Sequence, residues 1–173
     1  DRAGSARGLV SYYFPGKRQL LQSAVHRLMH LELTAALESA PADAGGDERL
    51  ARAIDCVLGL AMRRPVLFRT HMAGLVNPEG VGFVQCPEQQ RLAAVLEGVV
   101  ADWGARDPAA EYRVLQAALM GAVFGLLLPG APLPLPRIRA ELFRRYNLPW
   151  HLGLPPCEEP PEDFVTCPHC HRP

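Results

Sequence analysis

The chain reads as an all-α protein. Apolar residues recur at three- and four-residue spacing along most of its 173 residues, and no segment shows the strict alternation of a half-buried strand. Proline, glycine and Asp/Asn clusters cut it into pieces of helical length.

The elements follow in order. Gly4 suits the left-handed end of a helix, and Ser5 can cap a short helix over about 6–12. Pro15-Gly16 breaks it. A long helix is expected over 17–40, with Leu20, Leu21, Ala24, Leu28, Leu31 and Ala35 as its apolar stripe. A loop spans 41–46. Asp47 is the expected cap of a helix that carries Leu50, Ile54, Val57, Leu58 and Ala61 and stops at Arg64-Pro65. Pro65 opens another, ending before Asn77-Pro78. After a glycine-containing loop, 88–104 reads as a helix. Asp107-Pro108 is a cap followed by proline at the first helical position, and opens a long apolar helix to about Leu128. A rigid linker over 129–134 leads to a basic amphipathic helix over 136–147. An extended tail rich in proline, acids and cysteine is expected after Leu148.

Composition narrows the function classes. Half the residues are apolar (49%), which argues against general disorder. No unbroken apolar run reaches the roughly 18 residues of a membrane span, and no signal peptide opens the chain, so a cytoplasmic protein with reduced cysteines is expected. The formal net charge is zero, but residues 1–31 hold five basic groups (Arg2, Arg7, Lys17, Arg18, Arg27) against Asp1, a surplus of four. Such a localised basic end suits contact with DNA at one end only; a solvated helix face is the plainer reading.

The basic end carries a motif. Ser5, Ala6 and Gly8 are small enough to bring a short helix close to DNA, and Arg7 stands early on it, within reach of a base edge or phosphate. Leu9, Ser11 and Tyr12 add groove-side groups, and the hydroxyls of Tyr12 and Tyr13 suit phosphate oxygens. Lys17, the only lysine among 18 basic residues, falls at a helix start, where the dipole opposes a cation unless an anion is bound there. The spelling Gly8, Tyr12-Tyr13-Phe14, Pro15-Gly16, Lys17, Leu20-Leu21 resembles the recognition helix of tetracycline-repressor (TetR) family regulators, where it runs into the long connector helix. The resemblance covers residues 3–21. Ser5 departs from the aliphatic residue usual in the family, and the family's first two helices are expected upstream of residue 3.

The resemblance implies a partial helix-turn-helix head over 1–22, a helical effector-binding and dimerisation domain over 23–148, and a tail over 149–173. It implies operator DNA read through the complete head by Arg7, Gly8, Leu9, Ser11, Tyr12, Tyr13 and Lys17. It also implies a homodimer formed by the last two helices, here assigned to Leu115, Ala118, Leu119, Ala122, Ile138 and Leu142. The small-molecule effector that the family binds is unidentified. Phe68, His71, Met72, Leu75, Trp103 and Tyr112 combine apolar surface with polar tips and are the candidate pocket; ordinary core is the competing reading of each. No cofactor is called for. In the tail, Cys167, Cys170 and His171 match a haem-attachment pattern, which would require export; with Cys157 or His169 they match one zinc knuckle of the two usual in structural sites; a metal-free tail is the third reading. No nucleophile–base spacing or phosphate loop supports an enzyme. The function expected is a regulator, repressing until its effector binds; the alternative is a helical binding module or an enzyme without DNA activity.

Overall fold

A computed structural model describes residues 16–76, 87–127, 130 and 133–152, with the side chains of Leu75 and Val76 excepted. The described residues form an all-α fold of six helices with no strand among them: α1 (Lys17–Glu38), α2 (Gly46–Arg63), α3 (Pro65–Val76), α4 (Pro87–Asp102), α5 (Pro108–Leu127) and α6 (Leu135–Arg145).

The bounds follow local chemistry. Lys17 is the first residue of α1, with extended Gly16 as its cap. The Asp107 carboxylate accepts from the Ala110 N–H at 3.0 Å, the cap that the Asp-Pro pair implies. Asp47 is not the cap of α2. Extended Gly45 takes that place, and Asp47 and Glu48 fall in the first turn, where the helix dipole favours their charge. α4 and α6 both end in a residue of positive φ. Gly104 (φ 102°) lets the Ala105 N–H donate to the Val100 carbonyl at 3.0 Å. Asn147 (φ 51°) lets the Leu148 N–H donate to Phe143 at 2.8 Å. Both are the six-to-one closure that reverses a chain sharply onto its own helix.

α2 is the hub. Leu50, Ala51, Ala53, Ile54, Val57, Leu58, Leu60 and Ala61 are all buried, so apolar side chains cover about half its circumference. It touches each of the other five helices, which surround it in the order α3, α1, α4, α5, α6. Gly46 lies against the end of α4, with no room for a side chain between the two backbones. Arg139 of α6 makes a two-pronged ion pair with Asp55 of α2, Nε to Oδ1 at 2.8 Å and Nη2 to Oδ2 at 3.0 Å. The same guanidinium donates to the carbonyls of Trp150 and Leu152 and lies 3.8 Å over the buried Phe143 ring. The extended tail expected from residue 149 is therefore corrected at its start: Pro149–Leu152 fold back, and Trp150 is buried.

Two helix faces differ from expectation. The apolar stripe assigned to α1 looks outward. Leu21 is 55% exposed and Leu31 47%, with Leu20 and Leu28 also exposed. The buried face is Met29, His30, Leu33, Thr34 and Leu37. The two stripes lie on opposite sides of one helix, and the inner one is partly polar, so apolar spacing alone selected the outer. The second correction concerns α5 and α6. Leu115, Leu119, Ile138 and Leu142, expected at a dimer interface, are buried within the single chain, and Ala118 and Ala122 are half-buried. α5 is apolar nearly all round, and such a helix has no phase that sequence can read. The outer face of α5 carries Val114, Ala117, Gly121 and Phe124, the last 56% exposed; that of α6 carries Arg137, Glu141, Arg144 and Arg145.

Among the described residues, α5 alone is long and apolar enough by composition to cross a membrane. It carries Glu111 and Arg113 in its first turns and buries Tyr112, Leu115, Leu119, Val123 and Leu126 against its neighbours.

Candidate functional site

The five pocket candidates whose side chains are described do not converge. α2 is 18 residues long, about 27 Å at the usual rise per residue. Trp103 abuts Gly46 at its first turn, and its ring meets Tyr146 edge-on at 5.5 Å. Tyr112 lies near that end, on the first turns of α5. Phe68, His71 and Met72 lie beyond the other end, on α3. Phe68 is fully buried and Tyr112 nearly so, which makes both plain core. The side chain of Leu75 lies outside the described residues.

His71 does join a cluster. His26 and His30 stand one turn apart on α1, which places them on one face, and His71 of α3 packs against both. The Nδ1 atoms of His26 and His71 lie 3.4 Å apart and their rings stack at 5.2 Å. His30 meets His26 edge-on at 4.1 Å and His71 at 6.1 Å. From α4, Gln89 Oε1 lies 3.3 Å from His26 Nε2. An amide oxygen only accepts, so Nε2 carries the proton and His26 Nδ1 presents a lone pair toward His71. Glu88 pairs with Arg27 at 2.8 Å beside the cluster. Three helices thus meet on imidazole. Sequence reading singled out His71 but missed its partners. The signal available was the four-residue spacing of His26 and His30, which lay off the apolar stripe assigned to α1.

Burial sets the charge of the cluster. It lowers the pKa of His30 to about 4, with the neighbouring His26 and His71 adding to the effect and Glu88 opposing it. It lowers His71 to about 4, His26 again adding. His26 is lowered by burial and partly restored by Gln89. The folded values lie below the ordinary 6.5 of the unfolded chain, so the unfolded chain takes up protons first as pH falls. Stability should be level above pH 6.5 and decline from there toward pH 4. Between pH 7.5 and 5, His30 and His71 should each remove about 2 kcal/mol. Urea unfolding across that range checks this, and His30→Gln should remove a large part of the slope. A flat profile in the unmodified protein would rule out the neutral cluster.

Of the residues expected to touch DNA, Lys17 is described. It is exposed at the start of α1, and the first turn of that helix holds no acid. Arg7, Gly8, Leu9, Ser11, Tyr12 and Tyr13 lie outside the described residues, as do Cys157, Cys167, His169, Cys170 and His171. Cys56 has a free thiol, its pKa raised by burial.

No family model, curated protein or solved structure matches the chain.

Proposed function

We propose that this chain is the body of a TetR-like, DNA-binding transcriptional regulator, acting in the cytoplasm as a homodimer and without catalytic activity. The observation that carries the reading is the position of Lys17. α1 begins there, with its first-turn N–H groups and a lone lysine at one exposed helix end, directly after Tyr12-Tyr13-Phe14-Pro15-Gly16. An anion bound there would be held by both, and the adjacent tyrosines suit the same phosphate backbone. α1 then runs 22 residues into the body, long enough to carry a change in the bundle to a reading head.

A dimer seam is available on α5. Ala110, Val114, Ala117, Gly121 and Phe124 are exposed and spaced four, three, four and three residues apart, the repeat that lets two helices pair along their length. Nothing would meet a Cβ at Gly121, so a partner helix can approach closely. An effector that repacks the body would change the separation of two heads and release operator DNA.

A mobility-shift and sedimentation series on the full-length protein tests the reading. Lys17→Ala and Tyr13→Phe should weaken binding to every DNA sequence and flatten its salt dependence. Phe124→Glu should yield monomers and lose the operator complex. A protein that shifts no DNA, from its own upstream region or elsewhere, belongs to the alternative class of binding modules.

A further inference from the structure

We infer that the His26–His71 contact is an acid-released latch on α1: protonation of these rings frees residues 17–28 from α3 and α4, while residues 29–38 stay docked. The first observation is how unevenly α1 is held. Its buried residues begin at Met29 and continue with His30, Leu33, Thr34 and Leu37. Before Met29 no residue of the helix is buried, and the inward positions Gln19, Gln22, Ser23 and His26 are half-buried and polar. This half gains little from apolar burial, so a few polar contacts decide whether it stays down. Gln22 lies against Gly74 of α3, Arg27 pairs with Glu88 of α4, and His26 reaches both His71 and Gln89.

The second observation is what a proton does to the junction. With Gln89 accepting from His26 Nε2, the His26 Nδ1 lone pair accepts the N–H of His71 Nδ1 across 3.4 Å. A proton on His26 goes to Nδ1 and sets two N–H groups against each other. A proton on His71 goes to Nε2 and makes a cation of a buried ring stacked at 5.2 Å on His26. Either charge gains hydration when α1 lifts away. The groups around the pair do not offset this. His30, edge-on to both rings, adds repulsion once charged. Glu88 of α4 would favour a cation, but Arg27 already engages it. The other ion pairs that reach α1, Arg91 of α4 with Glu38 and Arg64 of α2 with Glu32, hold its second half. On α3, Arg69 is committed to the Leu127 carbonyl.

Release returns His71 from about 4 to its ordinary 6.5, so the open form should rise about 30-fold between pH 7.5 and 5, and further through His26. A freed segment of about a dozen residues is too short to hold its own helix, so its amides exchange when it opens. The latch is independent of whether the chain reads DNA, so a failed mobility shift leaves it standing. The test is hydrogen exchange of the full-length protein in low urea, corrected for the intrinsic pH dependence of amide exchange. Amides 20–28 should exchange through an opening nearly insensitive to urea, with a population that grows at least tenfold from pH 7.5 to 5. Core amides of α2 and α5 should exchange through the urea-dependent global opening. His26→Gln with His71→Gln keeps hydrogen-bonding groups that do not titrate, and should cut the growth to less than about threefold. Should the double variant fail to fold, His71→Gln alone must reduce the growth at least threefold. Exchange of amides 20–28 with the same urea dependence as α2 at both pH values overturns the latch. So does a local opening that ignores pH, or one whose acid response survives in the variants.

Discussion

Replacing Arg139 by alanine should destabilise the fold by about 3 kcal/mol, among the largest effects of any single substitution at its surface. The Arg139 side chain is 13% exposed and uses every nitrogen: Nε and Nη2 on Asp55, Nη1 on the Trp150 carbonyl, and Nη2 again on the Leu152 carbonyl. Its removal leaves a partly buried carboxylate without its ion pair, two carbonyls without this donor and the Phe143 ring without its cover. An unpaired charge in such a place costs more than the pair contributes when intact. Asp55→Ala should cost less, because the arginine keeps its two carbonyls. Arg139→Lys should recover only part of the loss, since an ammonium cannot form the two-pronged pair and bridge to both carbonyls. Urea unfolding of both single variants and the double variant measures the coupling. A double variant much less stable than Arg139→Ala alone would show the two residues acting independently, against the geometry described.

Gly46→Ala should lower stability by about 3 kcal/mol, against the sign that helix propensity gives. Alanine is favoured over glycine within a helix by about 1 kcal/mol. Here an added Cβ would lie 2.7 Å from the Asp102 carbonyl carbon and 2.9 Å from Trp103 Cα, closer still to the carbonyl oxygen. Those are backbone atoms in a closed turn, fixed by the bonds around Gly104, and they cannot swing aside as a side-chain tip would. The Arg49–Asp102 ion pair spans the same junction and should be disturbed with it. The Gly59→Ala variant is the contrast. Its Cβ would meet only the end of the flexible Arg63 side chain, so a neutral or slightly positive effect is expected. Thermal unfolding of the two variants side by side separates propensity from packing.

Helix positions were legible because their signals are local. Pro65 and Pro108 stand at first helical positions, Asp107 caps, and Gly104 ends α4 through a bond pattern that needs only neighbouring residues. Helix orientation was not legible. On α1 the core side carries His26, His30 and Thr34 and the solvent side carries leucines, so apolar periodicity points the wrong way. On α5 nearly every face is apolar, and only the packing of α2, α4 and α6 decides that Leu115 faces inward and Val114 outward. The candidate site was half legible for the same reason. His71 is conspicuous as a polar residue on an apolar helix, but its partner His26 lies 45 positions away, and no local pattern joins them. The Asp55–Arg139 pair, 84 positions apart, is likewise a product of the hub arrangement.

The outward leucines of α1 bear on how the protein behaves in solution. Leu21, Ala24, Leu28, Leu31 and Ala35 form a continuous ridge with the same three-four repeat as the seam on α5, on a chain whose formal charge sums to zero. Little long-range repulsion keeps such molecules apart. Salts such as sulfate strengthen apolar contact while they screen charge pairs, so self-association should grow with sulfate concentration, where binding to a polyanion weakens. Crowding and salting-out would therefore act on this ridge before they act on the core beneath it.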